Sequence, residues 1–325
     1  MMIHWTPLER TDLSSLVALW NRELSDRFPM REALFAQNSF DDPNVCWPGS
    51  WVARDGDRGD IVGFVVAKAP QEAEPYIEAN RGTAWIQVLL VDRRYRCRGI
   101  GSELLLRAER ALFAHEAERI SLGRDPWHFF PGIPVEDGGL KRWFEARGYV
   151  GGDDVYDMHC VLRDDAVMPK LPEVAFRLLA LKEKDSFLAF MRRSFPGRWT
   201  YEAVKYFERG GTGREFVVAV KGDRIIGFCR VNDASSPLIA QNTYWTPLFD
   251  DDALGGIGPL GIDSAERGHG YGLAIVQAGM AVLRGRGIKH VIIDWTGLVD
   301  FYGKMGCKVW KGYTIYQKGV QIKPC

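Results

Sequence analysis

The 325-residue chain is 46% hydrophobic, which is long for one domain and sufficient for two with separate cores. Lys plus Arg and Asp plus Glu number 42 each, so the net charge offers nothing to a polyanion, and neither nucleic acid nor an anionic membrane surface is an expected partner. The opening MMIHWTPLERTD lacks the basic region and apolar core of a signal peptide, and no apolar run approaches the roughly 20 residues that cross a bilayer, so a cytoplasmic protein is expected.

In chain order, "SWVARDGDRGDIVGFVVAK" (50–68) reads as two alternating strands around a Gly/Asp turn, and "TAWIQVLLVD" (83–92) as a further apolar strand. That strand runs into "RYRCRGIGSELLLRAERAL" (94–112), a glycine turn at the mouth of a helix. Ile100, Leu104, Leu105, Ala108 and Leu112 form the apolar stripe of that helix, with Glu103, Arg107 and Arg110 outside it. "RISLG" and "LKRWFEARGYV" then give a strand, a short helix and a closing glycine turn. "RDDAVMPKLPEV" (163–174), with two prolines and a charged cluster, reads as a linker. Beyond it the series returns: the hairpin "EFVVAVKGDRIIGFCRV" (215–231) around Gly222-Asp223, the strand and turn "GGIGPLGIDSAERGHGYG" (255–272), and the closing "KHVIIDW" and "VDFYGKMGCKVW". The same elements in the same order twice predict two α/β domains, 1–163 and 174–325, joined by a linker at 164–173. Each is a mixed sheet with helices against it.

Six cysteines, at 46, 97, 160, 229, 307 and 325, show no Cys-x-x-Cys pair and read as reduced thiols packed like small apolar residues. The histidines at 4, 115, 128, 159, 269 and 290 show no zinc-ligand spacing, and no metal is expected.

The glycine turns carry the chemistry. The first N–H groups of a helix have no intrahelical partner, and with the helix dipole they form an anion site that glycines let a ligand approach. Gly99 and Gly101 do this beside Arg96 and Arg98; Gly268, Gly270 and Gly272 do it beside Arg267. A phosphate or pyrophosphate is the natural guest. The dinucleotide fingerprint fails, because Leu273 stands three after Gly270 and Cys97 two before Gly99, and the Gly-Lys-Ser/Thr ending of an NTP-binding loop is absent. What remains in both copies is Arg-x-x-Gly-x-Gly.

On these residues, "LLVDRRYRCRGIGSELL" and "GPLGIDSAERGHGYGLAI", the sequence resembles the GCN5-related N-acetyltransferase (GNAT) family, as a tandem member covering most of the chain. The resemblance implies two GNAT-like domains, each a mixed, mostly antiparallel sheet flanked by helices, and acetyl-CoA as cosubstrate, its pyrophosphate on the turn amides. The implied binding residues are Leu260, Ile262, Arg267, Gly268, His269, Gly270, Tyr271 and Gly272 in the second half. In the first half they are Leu89, Val91, Arg96, Cys97, Arg98, Gly99, Ile100, Gly101 and Ser102. The family's acid is a tyrosine four residues before the closing glycine. That position is Tyr302, before Gly306, in the second half and Phe144, before Gly148, in the first. Phenylalanine has no proton to give, so the second half is the expected catalytic domain and the first a scaffold that retains a CoA turn. Trp295 stands where the family often has asparagine.

Asp294, at the end of the presumed fifth strand, either relays a proton from the amine or merely caps the strand or the following helix. Trp199, Tyr201, Tyr244 and Trp245 either wall a substrate pocket or pack the core, and Asp250, Asp251 and Asp252 either attract a cationic amine or are solvated surface. "GRDPWHFFPGIP" (123–134) is an apolar, proline-bounded loop at the acceptor side of the first half, where it plugs or shapes the cleft; His128 in it is a base or incidental. The expected activity is N-acetylation of a primary amine on a small molecule, in an antibiotic-modifying, self-resistance or mycothiol-synthase-like biosynthetic role. The alternative is a non-catalytic acyl-CoA-binding module. Monomer and homodimer are both compatible with two fused domains.

Overall fold

The strand and helix patterns are realised twice in a computed structural model of the protein, which describes residues 2–56, 59–163, 166–249 and 253–319. The first series is β1 (Ile3–Pro7), α1 (Leu13–Leu24), α2 (Glu32–Phe35), β2 (Trp51–Asp55), β3 (Ile61–Lys68), α3 (Pro75–Glu78), β4 (Thr83–Val91), α4 (Ile100–Ala114), β5 (Arg119–Leu122), β6 (Ile133–Pro134), α5 (Gly138–Glu145) and β7 (Val150–Val161). The second is β8 (Val174–Leu178), α6 (Lys184–Ser194), α7 (Arg198–Glu208), β9 (Phe216–Lys221), β10 (Arg224–Asn232), β11 (Leu254–Ile262), α8 (Tyr271–Gly285), β12 (His290–Thr296), α9 (Val299–Gly303) and β13 (Lys308–Gly319).

The chain forms two compact units. One comprises the chain up to Val155 together with the stretch from Gly312 onward; the other is Tyr156–Lys311. In the first unit the strands run β1-β2-β3-β4-β5-β13, antiparallel except for β4 with β5. In the second they run β8-β9-β10-β11-β12-β7, antiparallel except for β11 with β12. Each unit is thus a mixed, mostly antiparallel sheet flanked by helices.

The units depart from the boundary expected at 163–174. The last strand of each sequence half completes the other half's sheet: Cys160 and His159 of β7 pair with Val291 and Ile292 of β12, while Gln317 and Lys318 of β13 pair with Ser121 and Ile120 of β5. Alternating hydrophobicity identifies a strand but not the partner whose N–H and C=O groups it satisfies, so an exchange of equivalent strands leaves no trace in the pattern.

The exchange also corrects the reading of six reduced cysteines. It brings Cys160 of β7 to Cys307, 147 residues away, with Cα atoms 4.3 Å apart, and the two form a disulfide within the second unit. Among the described residues Cys46, Cys97 and Cys229 remain thiols.

Each sheet has two different faces. On one, α4 or α8 buries its apolar stripe; Ile100, Leu104, Leu105, Ala108 and Leu112 are all buried against β3, β4 and β5, each large side chain contributing about 1.5–3 kcal/mol. Ala274, Ile275, Ala278 and Leu283 do the same in the second unit, beside Tyr302 and the disulfide. The opposite face is aromatic: Trp20, Phe35, Phe64 and Phe129 in the first unit, Phe187, Phe190, Phe195 and Phe228 in the second. Among the described residues no helix is long and apolar enough to cross a membrane.

Candidate functional site

The two glycine turns are built alike. After β11, Asp263 accepts from the backbone N–H of Ala265 at 3.1 Å, and Arg267 folds back so that its Nε–H donates to the carbonyl of Ile262 at 3.2 Å. After β4, Asp92 accepts from Arg94 N–H at 2.9 Å and Arg96 Nε–H donates to Val91 O at 3.0 Å. The arginine of the motif therefore locks the end of the strand to the turn. Gly99 and Gly270, the residues before the helices, have φ of 82° and 78°, and Gly268 has 86°, a left-handed backbone that costs glycine little. Cys97, the counterpart of Gly268, holds φ 59° without that freedom and is exposed.

The turns differ in their charge. Around the first, Arg96 and Arg93 both pair with Glu23, at 2.7 and 3.4 Å, and Arg22 and Arg94 pair with Asp92. The Arg98 guanidinium lies over the Tyr95 ring, and the Ser102 hydroxyl accepts from Arg147 at 2.8 Å. Arg267 of the second turn makes no ion pair among the described residues, and nothing lies within 4 Å of a Cβ placed on Gly268 or Gly270. Gly272 opens the first turn of α8 with only the Phe301 ring at 3.9 Å, beside the stacked rings of His269 and Tyr271. This open turn at a 15-residue helix fits a pyrophosphate. Ile262 and Val91 are buried and Leu260 and Leu89 half-buried, packing the strands that lead in.

Next to the turn, the fourth strand of each unit carries a bulge. The β10–β11 register passes from Cys229↔Leu260 to Val231↔Ile257, leaving Gly258 and Pro259 opposite Arg230; in β3–β4 it passes from Val66↔Val88 to Ala67↔Ile86, leaving Gln87 unpaired. The parallel pairing of β11 with β12 ends at Gly256↔Ile292, so the two strands part at Gly258 and Asp294.

In the second unit this opening is lined by polar groups. Asn242 donates from Nδ2 to Asp294 Oδ1 at 3.0 Å and to the Gly258 carbonyl at 3.3 Å. Burial pushes the Asp294 carboxyl up, opposed first by the Arg198 guanidinium. Trp295, at φ 42°, donates its backbone N–H to Asp157 of β7 at 3.0 Å, and Arg198 lies over its ring at 4.2 Å. Tyr302 on α9 is 6% exposed, and its hydroxyl has no hydrogen-bond partner among the described residues. Burial, followed by the Cys229 thiol and the Asp294 carboxylate, pushes its phenol up, so it holds its proton across the physiological range.

In the first unit the same opening is filled. Gln87 donates from Nε2 to the carbonyls of Asn38 and Trp127, at 2.8 and 3.0 Å, tying the 123–134 segment to the bulge. A Cβ on Gly123 would stand 1.9 Å from the Phe130 carbonyl, a close approach that requires glycine. Phe129 and Phe130 pack on Trp20, and the wholly buried Lys68 pairs with Asp125 at 2.6 Å and Asp42 at 2.7 Å. His128 is buried with Nδ1 2.8 Å from the Asp125 carbonyl, and Phe144 is core, edge-on to Trp143 and Tyr149.

Of the other aromatic residues singled out by sequence, Tyr201, Tyr244 and Trp245 are buried, and Trp199 packs on Phe195 and Phe228. Asp250, Asp251 and Asp252 lie outside the described residues. Sequence reasoning missed Asp157, Arg198, Glu202, Arg230, Asn232 and Asn242. The one available signal was an arginine inside the otherwise apolar strand "RIIGFCRV".

The model of the Acetyltransferase (GNAT) family matches residues 8–130 and 184–307. A mycothiol acetyltransferase of Thermobispora bispora is 27% identical over 173 residues, 46% of this chain and 52% of that protein. A solved fungal structure, described as a GCN5-related glucosamine N-acetyltransferase region of a multi-domain GH3 β-N-acetylglucosaminidase, superposes with a TM-score of 0.84 at 25% identity, over 97% of this chain and 38% of that one. A tandem GNAT protein from the clavulanic acid biosynthesis pathway superposes with a TM-score of 0.68 at 18% identity, over 98% of each chain. The chain thus spans about half the length of the first relative and a smaller share of the fungal protein.

Proposed function

The chain belongs to the acetyltransferase (GNAT) family, and from that premise we propose that its second unit transfers the acetyl group of acetyl-CoA to a primary amine on a small molecule. The observation that carries this reading is the contrast at the strand opening. One unit has an open glycine bulge, a buried carboxylate and a buried phenol without a hydrogen-bond partner among the described residues; the other has Gln87 tied to an aromatic plug at the bulge and the core ring of Phe144 at the acid position.

Acetyl-CoA, when bound, supplies an activated thioester. Arg267, Gly268, His269, Gly270, Tyr271 and Gly272 would hold its pyrophosphate on the α8 turn, with Leu260 and Ile262 along the arm. Asp294 takes the proton from the acceptor ammonium, since an amine attacks only when neutral. Its raised pKa improves the match to an amine, and Asn242 fixes the orientation of the carboxylate. Tyr302 holds a proton at Oη for the departing sulfur, and its apolar surroundings keep that proton in place until a thiolate needs it. The first unit retains the turn, and it serves as a scaffold with a CoA turn and no acid.

The name of the fungal region makes an amino sugar the first acceptor to test. The name of the Thermobispora relative favours a second reading, acetylation of the amine of a thiol precursor in biosynthesis. Incubating the protein with acetyl-CoA and a panel holding both kinds of amine, read by mass spectrometry, tests the proposal. A gain of one acetyl group on an amine is expected; acetyl-CoA binding with no acetylated amine would overturn it.

A further inference from the structure

The α6–α7 side of the second unit buries more polar atoms than it pairs. Arg230, 2% exposed, and Asn232, fully buried, stand two apart on β10 and so project to the same face. Arg230 Nη1 reaches Glu202 Oε2 only at 3.5 Å, and Arg198 Nε lies 3.4 Å from Glu202 Oε1. Asn232 Nδ2 donates to Asn242 Oδ1 at 3.1 Å, and Asn242 in turn holds Asp294. Five buried atoms in this connected group make no hydrogen bond among the described residues: Nε and Nη2 of Arg230, Nη1 of Arg198, Oδ1 of Asn232, and Oε1 of Glu202, which has only the 3.4 Å ion-pair contact with Arg198. A buried donor or acceptor left unmade is costly, and a group of them beside a reactive carboxylate points to a ligand that completes them.

The chemistry of the five atoms selects that ligand. Three are donors and two are acceptors. A carboxylate or phosphate would satisfy the donors but face the oxygens of Glu202 and Asn232; an ammonium would satisfy only the acceptors. A hydroxyl both donates and accepts, and several neighbouring hydroxyls match a mixed set. Resting on the transfer reading above, we infer that Arg198, Glu202, Arg230 and Asn232 form a subsite for the hydroxyl groups of a polyhydroxylated amine, whose amino group then lies at Asp294.

The test compares two ring amines, glucosamine and the hydroxyl-free cyclohexylamine, in initial-rate kinetics with saturating acetyl-CoA. The native protein should favour glucosamine by roughly tenfold or more in kcat/KM, because a site built for hydroxyls discriminates against an acceptor lacking them. Arg230→Lys keeps the positive charge beside Glu202 and removes the forked N–H groups. It should lower the glucosamine preference by roughly 10- to 100-fold, chiefly through KM. Asn232→Ala gives an independent loss of the same preference, and acetyl-CoA calorimetry confirms that each variant is folded. Equal use of both amines by the native protein, or an equal loss for both in the two variants, would overturn the subsite while leaving acetyl transfer standing. Failure to acetylate glucosamine while another amine of the panel is acetylated would likewise overturn the subsite, and failure to acetylate any amine of the panel would instead strike the transfer reading on which the subsite rests.

Discussion

A carboxylate becomes a useful base when its surroundings raise its pKa without stripping its charge, and opposing influences of both kinds act on Asp294, the base proposed above. Burial raises it, while Arg198, the Asn242 amide and Arg230 favour the charged form. The base is active when deprotonated, so turnover rises with pH through the folded pKa, and that limb should lie above the ordinary carboxylate range. Asp294→Asn should remove the limb and lower kcat/KM by roughly 10²-fold or more, measured across pH 4 to 9; a profile and rate like the native ones would show that Asp294 only ends a strand. The turn glycines are legible from spacing, because a motif and its closing turn lie close together in the chain, and Tyr302 is singled out by the family resemblance. Asn242, Arg198 and Arg230 are not legible, because separate elements bring them to Asp294 and no local period links them.

At the scale of elements, both turns were legible down to their glycines; what the sequence concealed was their surroundings. Arg96 is neutralised by Glu23 from α1 and the first bulge is occupied by Gln87, contacts set by packing rather than by the Arg-x-x-Gly-x-Gly spacing. The second turn is therefore the one to perturb. Gly272 is not left-handed, and an added Cβ would meet only the Phe301 ring at ordinary distance. Glutamate there also suits the first turn of a helix, so Gly272→Glu should fold normally and weaken acetyl-CoA binding by roughly tenfold or more through repulsion of the pyrophosphate. Calorimetry giving the native affinity would move the anion site elsewhere. In the plug, Gly123→Ala should destabilise the first unit by about 3 kcal/mol or more, since its Cβ has no room before the Phe130 carbonyl and its φ is 66°. A denaturation midpoint like the native one would mean that the plug yields.

For the whole molecule, two α/β repeats were legible from the order of elements, but the exchange of their last strands was not, and with it went the Cys160–Cys307 disulfide. Cys307 closes the turn after α9, its N–H reaching the Tyr302 carbonyl at 3.3 Å, so the bond fastens β7 next to the helix of the proposed acid. Reduction should lower unfolding free energy by about 2–4 kcal/mol in denaturant titrations with and without a thiol reductant; coincident curves together with a confirmed change in free thiols would contradict that role. Across the molecule the central claim is asymmetry, with chemistry in the second unit and scaffold in the first. It is tested most directly by measuring turnover and acetyl-CoA affinity together in Tyr302→Phe. Turnover should fall by roughly 10²-fold or more with affinity nearly unchanged, the mark of a lost proton donor beside intact binding amides. Full activity in Tyr302→Phe, with activity abolished instead by Gly101→Glu in the first turn of a folded protein, would contradict the account and exchange the roles of the two units.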